Sequence, residues 1–244
     1  MIMKKLMFIA AMAAFILMDV TASAQFVQSS GKPSGTSSAA DPEALFSTVD
    51  FTYSPMTINA SSGNGSDSAD MTGLSINWSQ ARLLTNQLPL YLQYGAGLQY
   101  SWYKDSDSYE GDYYSYSYSA TTSFLTLSVP VNVVCNFAVP NTPISVMPYL
   151  GLSANLHILG QTTTTMEEDG VEESKTYSFF SEDDMGSSSS TYNRFVLGWQ
   201  VGAMVSLDKY FLRFGYSGPV TNLYSQGEFK INTSQVNLSI GLRF

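Results

Sequence analysis

The chain closes on Gln235-Val236-Asn237-Leu238-Ser239-Ile240-Gly241-Leu242-Arg243-Phe244, in which Val236, Leu238, Ile240, Leu242 and Phe244 alternate with polar residues or glycine. An extended chain turns successive side chains to opposite faces, so this segment is a strand with one apolar face and one polar face. Such a strand has to lie between an apolar and a polar environment. When many like it follow one another, the fold reduces to a sandwich or a closed barrel.

The alternation does recur. Leu88, Leu90, Leu92, Tyr94, Ala96, Leu98, Tyr100 and Trp102 share one face, opposite Tyr91, Gln93, Gly95, Gly97, Gln99 and Ser101. The same period carries Leu125 to Phe137 and Ile144 to Ile158. It then carries Phe195 to Leu207 and, across the two-residue connection Asp208-Lys209, Tyr210 to Tyr216, which reads as a hairpin. Shorter versions at Val49, Phe51 and Tyr53 and at Leu74, Ile76 and Trp78 bring the strand count to about eight. The face bearing Leu90 to Trp102 is the one that can meet lipid without stranding polar groups, so the barrel is read with its apolar face outward. A soluble ligand-carrying barrel would need the reverse.

Connection lengths carry a second signal. Arg82 to Gln87, Ala138 to Pro143 and Asp208-Lys209 are short, whereas 58–70, 104–119, 160–191 and 218–230 are long, and the two kinds alternate strictly. Outer-membrane barrels pair short turns on one side with long loops on the other.

The N-terminus reads as a secretory signal over residues 1–24. Lys4 and Lys5 form the charged region, Leu6 to Met18 the apolar stretch, and Ala22-Ser23-Ala24 the small-residue cleavage site. Residues 25–44 are a Gly/Ser/Ala-rich lead-in without periodicity, and 45–244 form the barrel domain. Cys135 is the sole cysteine, so no intramolecular disulfide forms. A formal charge of −9 argues against nucleic acid as a partner.

Signal peptide, eight alternating strands, alternating loop lengths and the closing Phe244 together resemble the small outer-membrane β-barrel family, the OmpA/OmpX-like "porin family" barrel domains. The resemblance implies a Gram-negative-type outer-membrane location, contact with outer-membrane lipid and recognition of Phe244 by the barrel-assembly machinery. It also implies a non-catalytic role in surface binding, adhesion or envelope maintenance, toward an extracellular protein or glycan. The alternatives it leaves open are a narrow small-solute channel and a lipid-modifying barrel enzyme.

Eight strands enclose a bore just wide enough to be filled by side chains. The inward register places Asp50, Arg194, Arg213 and Arg243 among amides and hydroxyls. Buried charges need partners, so these residues are expected to form an interior polar plug, with Asp50 pairing to Arg213 or Arg243. His157, the sole histidine, also faces inward. Ser153 and Glu167 lie near it in sequence, but their spacing singles out no catalytic set, and no cofactor or metal is expected.

Outside the barrel, Tyr113, Tyr114, Tyr116 and Tyr118 alternate with serine, a composition suited to an adaptable binding surface. Glu110-Gly111-Asp112 would be the turn of a protruding hairpin. The longest loop is acidic, with Glu167, Glu168, Asp169, Glu172, Glu173, Glu182, Asp183 and Asp184 against Lys175, and this charge reads as a hydrated surface rather than an ordered calcium site. Asp169-Gly170 suggests a hairpin within it, which would raise the count to ten if it joined the barrel.

Overall fold

Alternating segments of this kind pair edge to edge, and the computed structural model is all-β and antiparallel. It describes residues 44–63, 65–85, 89–110, 115–168, 171–181 and 192–244. The signal peptide, all but the last residue of the lead-in, Tyr113, Tyr114, the Asp169-Gly170 turn, Glu182, Asp183 and Asp184 lie outside the described residues.

The strands are β1 (Leu45–Tyr53), β2 (Met56–Ser62), β3 (Gly65–Thr85), β4 (Leu90–Glu110), β5 (Ser115–Cys135) and β6 (Phe137–Ala138), then β7 (Ile144–Glu168), β8 (Val171–Ser178), β9 (Phe195–Leu207), β10 (Tyr210–Pro219), β11 (Tyr224–Gln226) and β12 (Phe229–Arg243). Eight of them follow one another around a closed ring, β1-β12-β10-β9-β7-β5-β4-β3, with β3 returning to β1. Closure leaves no ring strand with an open edge. The last residue takes part in it, because Phe244 donates its N–H to Ser47 O while Ser47 N–H bonds Phe244 O.

The outward faces match the expected register. Ile76, Leu98, Leu150, Leu152, Leu212, Phe214, Leu238 and Ile240 are all exposed, in one apolar band around the ring. Asp208-Lys209 makes the tight turn between β9 and β10, with Asp208 at φ 52°.

The long connections depart from the expected loops, because the strands run on through them. β4 and β5 stay paired to Glu110↔Ser115, and β5 pairs β7 as far as Tyr116↔Glu168. β8 folds back on β7 and pairs no other strand, so the acidic segment does form a hairpin but the ring stays at eight. These extensions are rich in Tyr, Thr and Ser, of which Tyr and Thr favour strands, and they are laced by hydroxyl pairs such as Thr122–Thr162 (2.8 Å) and Thr163–Thr176 (2.9 Å).

Two walls therefore rise from one end of the ring. One is the sheet β4-β5-β7-β8. The other comprises the start of β3, β2, the start of β12 and β11. They part where β3 leaves β4 after Thr72↔Trp102. Between them β9 and β10 are short, and the opposite end of the ring carries the short turns.

Candidate functional site

Inside the ring, side chains stack in three layers. At the turn end, Phe46, Ala81, Tyr91, Val134, Met147, Tyr149, Met204 and Phe211 form a buried apolar cluster. Two glycines make room for one of its two tyrosines, Tyr149, at the layer boundary. Gly202 and Gly215 are cross-strand partners, and a Cβ on either would run into the Tyr149 hydroxyl.

The middle layer is polar and tightly connected. Arg213 Nη1 lies 3.1 Å from Asp50 Oδ2, while Asp50 Oδ1 accepts from Thr52 Oγ1 and Asn77 Nδ2, each at 2.8 Å. A second chain crosses the bore. Gln200 Nε2 donates to Asn132 Oδ1 (2.6 Å), Asn132 Nδ2 to Gln93 Oε1 (3.2 Å), and Gln93 Nε2 to Ser79 Oγ (2.9 Å). Higher up, Gln99 Nε2 donates to Gln235 Oε1 (3.1 Å) and Asn237 Nδ2 to Ser217 Oγ (2.8 Å). Pairing Asp50 with a guanidinium and bonding its second oxygen offsets the cost of burying the charge.

The other two arginines of the expected plug lie elsewhere. Arg194 occupies the bend just before β9, not the bore. Its guanidinium sits 4.8 Å from the centre of the Phe180 ring and its Nη1 reaches Ile158 O at 3.5 Å. The inward parity assigned to it fails because the strand starts one residue later. Arg243 lies at the turn end with its guanidinium 4.1 Å from the Phe46 ring centre, so its planar face rests on an aromatic face.

The third layer closes the hairpin end. Met56, Met71, Phe124, Val196, Leu223 and Ile231 are buried there, with Tyr103, Phe179, Phe180, Tyr192 and Tyr224 packed on them. Ring contacts run through Phe124–Phe179 (5.3 Å), Phe179–Tyr192 (5.0 Å), Tyr192–Tyr224 (5.1 Å) and Tyr224–Phe229 (5.8 Å), joining the two walls at their base. Aromatic pairs at these separations contribute beyond their buried area. Burial raises the pKa of the Tyr192 phenol, and neighbouring Tyr224 adds to the effect. Sequence reasoning missed this cap, whose rings come from separate segments and share no period.

His157 belongs to the underside of the cap. Its Nδ1 shares a hydrogen bond with Thr126 Oγ1 (2.8 Å), and its ring lies against Phe124 and Phe180. Ser153 instead accepts from Asn155 Nδ2 (3.2 Å), and Glu167 stands on the far side of β7 opposite Ser117 and Glu172. The three are not brought together. Among the described residues no group of three His, Cys, Asp or Glu side chains gathers that could hold a metal ion.

Two small cavities of mixed polar and apolar lining lie within the bore. One of about 80 Å³ lies under the cap, beside Gln99, Ser101, Thr126 and His157. One of about 70 Å³ lies lower, beside Asn77, Gln93, Asn132 and Arg213. Each has room for a few waters beside its polar groups.

Above the cap, Tyr116 and Tyr118 lie on β5 in the middle of the taller wall. Tyr116 is directly opposite Tyr109, and Tyr118 stands between Asp107 and Met166. All of these are on the face continuous with the inside of the ring, since Phe124 and Ser101, two-residue steps further down the same strands, are buried.

No family model matches the chain, and neither does any curated protein. Among solved structures, the attachment invasion locus protein Ail of Yersinia pestis is similar at 14% identity and a TM-score of 0.33, over 82% of this chain and 98% of that one. Neisserial surface protein A is similar at 19% identity and a TM-score of 0.34, over 82% and 96%. The outer-membrane enzyme PagL is similar at 14% and 0.33, over 76% and 97%. Similarity at this level carries over no ligand or activity to this chain.

Proposed function

We propose that this chain is an eight-stranded outer-membrane β-barrel with a filled bore, exported by its signal peptide and acting through the two walls at its outer end rather than through catalysis. The observation that carries this reading is the three-layer interior. A hydrogen-bonded polar layer lies between two apolar ones, each of which contains large side chains at most 5% exposed, Phe46 and Tyr91 at one end and Phe124 and Leu223 at the other. A conducting bore needs a continuous wet path, and apolar constrictions oppose one by dewetting.

Around this interior, the outward band of Ile76, Leu98, Leu150, Leu212, Phe214 and Ile240 suits a hydrocarbon surround. Trp102, Trp199, Tyr100 and Tyr216 stand towards the hairpin end of that band, where interfacial aromatics belong. The walls above it suit contact with another molecule, a surface-binding or adhesive role. The competing reading is a narrow channel.

Single-channel recording on the refolded protein in a planar bilayer separates the two. The filled barrel predicts silence from protein shown by protease protection to be inserted, and continued silence when Phe124 and Phe179 are both replaced by Ala, because the polar middle layer and the turn-end cluster remain in place. Stable ion-conducting steps from the unaltered chain would contradict it.

A further inference from the structure

In the wall β4-β5-β7-β8, cross-strand registers place side chains in rows on the face continuous with the bore. The uppermost row reads Tyr109–Tyr116–Glu168–Val171 and the next Asp107–Tyr118–Met166–Glu173. The third row is Asp105–Ala120–Thr164–Lys175. The reverse face of the same strands carries Ser106, Ser108, Ser117, Ser119, Thr121, Thr163, Thr165, Ser174 and Thr176, with Lys104, Glu167 and Glu172.

Two features of the inner face call for a partner. The large side chains are turned to water, with Tyr109 63%, Val171 66% and Met166 46% exposed, while the small hydroxylic ones take the opposite side. A sheet serving only as a spacer gains nothing from that arrangement, because exposed apolar area at a protruding site is a liability unless it is covered by a ligand. Charge supplies the second feature. The two upper rows hold three carboxylates, Asp107, Glu168 and Glu173, and no base, so a second copy of this face is repelled and a cation attracted. The face already shows how it receives one. Lys175, in the row below, places its ammonium 5.0 Å from the centre of the Tyr177 ring.

Resting on the surface-binding reading above, we infer that this inner face binds an extended peptide segment carrying Arg or Lys at alternate positions. Side chains at alternate positions of an extended peptide are about 7 Å apart, and so are successive rows along a strand. Two cationic side chains can therefore lie over Tyr118 and Tyr116 at once, their aliphatic stems against Met166 and Val171 and their charges toward Asp107, Glu168 and Glu173. Polyanions such as sulfated glycans are excluded by the same carboxylates.

The test is calorimetric titration of the refolded full chain in lipid nanodiscs with an eight-residue peptide of alternating Arg and Thr. The matching Glu/Thr peptide and a sulfated oligosaccharide serve as controls. Saturable binding of the Arg peptide alone is expected, weakened at least tenfold by Tyr116→Ala with Tyr118→Ala, and by Glu173→Lys. The reverse-face pair Glu167→Gln and Glu172→Gln should leave it within a factor of two. Equal losses from reverse-face and inner-face variants would show that the hairpin attracts cations by net charge alone and would overturn the inference. So would absent binding to protein shown to be inserted. Neither result bears on the filled barrel, which stands or falls on the conductance recording. A variant that fails to insert is replaced by Asp107→Lys on the exposed edge strand, for which the same tenfold loss is expected.

Discussion

β4, β5 and β7 each run through two regions, and the polarity of their faces reverses between them. In the ring, Leu98, Leu127 and Leu150 point outward, with Gln93, Asn132 and Gly151 inward. In the wall above, Ser106, Ser117, Thr163 and Glu167 point outward and Tyr109, Tyr116 and Met166 inward. The backbone period is the same in both, since a strand alternates whatever surrounds it. On the membrane reading proposed above, what changes is the medium. Below the reversal the apolar side faces out and is not covered by protein. Above it the outside is hydroxylic and acidic, as suits water. On that reading the row Trp102–Ser123–Gln161, where the outward side chains change character, marks the upper boundary of the apolar surround.

Substitutions that respect one region and violate the other test this comparison. The largest effect is expected in the bore. Asp50→Ala leaves the Arg213 guanidinium without its 3.1 Å partner and should cost about 3 to 5 kcal/mol, read from urea unfolding in lipid vesicles. Adding Arg213→Met should restore most of that loss, because the uncompensated charge is gone. If the single and double variants are equally unstable, the ion pair is not what organises the middle layer.

Next comes the outward face. Leu98→Arg should destabilise insertion by about 2 to 4 kcal/mol, as a charge on the lipid side near mid-membrane does. Ser117→Arg, on the outward side of the same sheet but above the reversal, should change stability by less than about 0.5 kcal/mol. Equal effects at the two sites would erase the boundary.

A smaller effect is expected at the tip. Glu167 and Glu172 lie directly opposite each other, and like charges in that position work against pairing. Glu172→Thr should stabilise the β7–β8 hairpin by about 0.2 to 1 kcal/mol, seen as slower amide exchange in β8. The gain should shrink at high salt, since the pair is exposed to solvent.

The ring was legible because its signal is local. Every second residue from Leu90 to Trp102 is apolar or aromatic, and the register that places Leu98 outward also sends Asp50 and Arg213 inward, where they meet. The walls were harder to read. The stretches 104–119 and 160–178 are polar enough to resemble loops, and the alternation of their described residues runs in the opposite sense, with Tyr109, Tyr116 and Tyr118 inward and Ser106, Ser108, Ser117 and Ser119 outward. A reader counting apolar residues on the outward face stops at Trp102. The cap was illegible for another reason. Phe124, Phe179, Tyr192 and Tyr224 come from separate segments, and only the closure of the ring brings them to one end. Arg194 shows how fragile parity is at a strand end, where a start one residue later moves a guanidinium from the bore to the face of Phe180.

The reversal itself can be measured along a single strand. Spin labels placed one at a time at the outward positions of β5, from Ser117 through Ser119, Thr121, Ser123, Leu125, Leu127 and Val129 to Val131, in a Cys135→Ala background, report whether each site meets oxygen dissolved in lipid or a water-soluble relaxant. Lipid contact is expected from Val131 to Leu125, a crossover near Ser123, and water contact from Thr121 to Ser117. Water contact at every position would contradict this and make the apolar band the surface of something other than a membrane barrel.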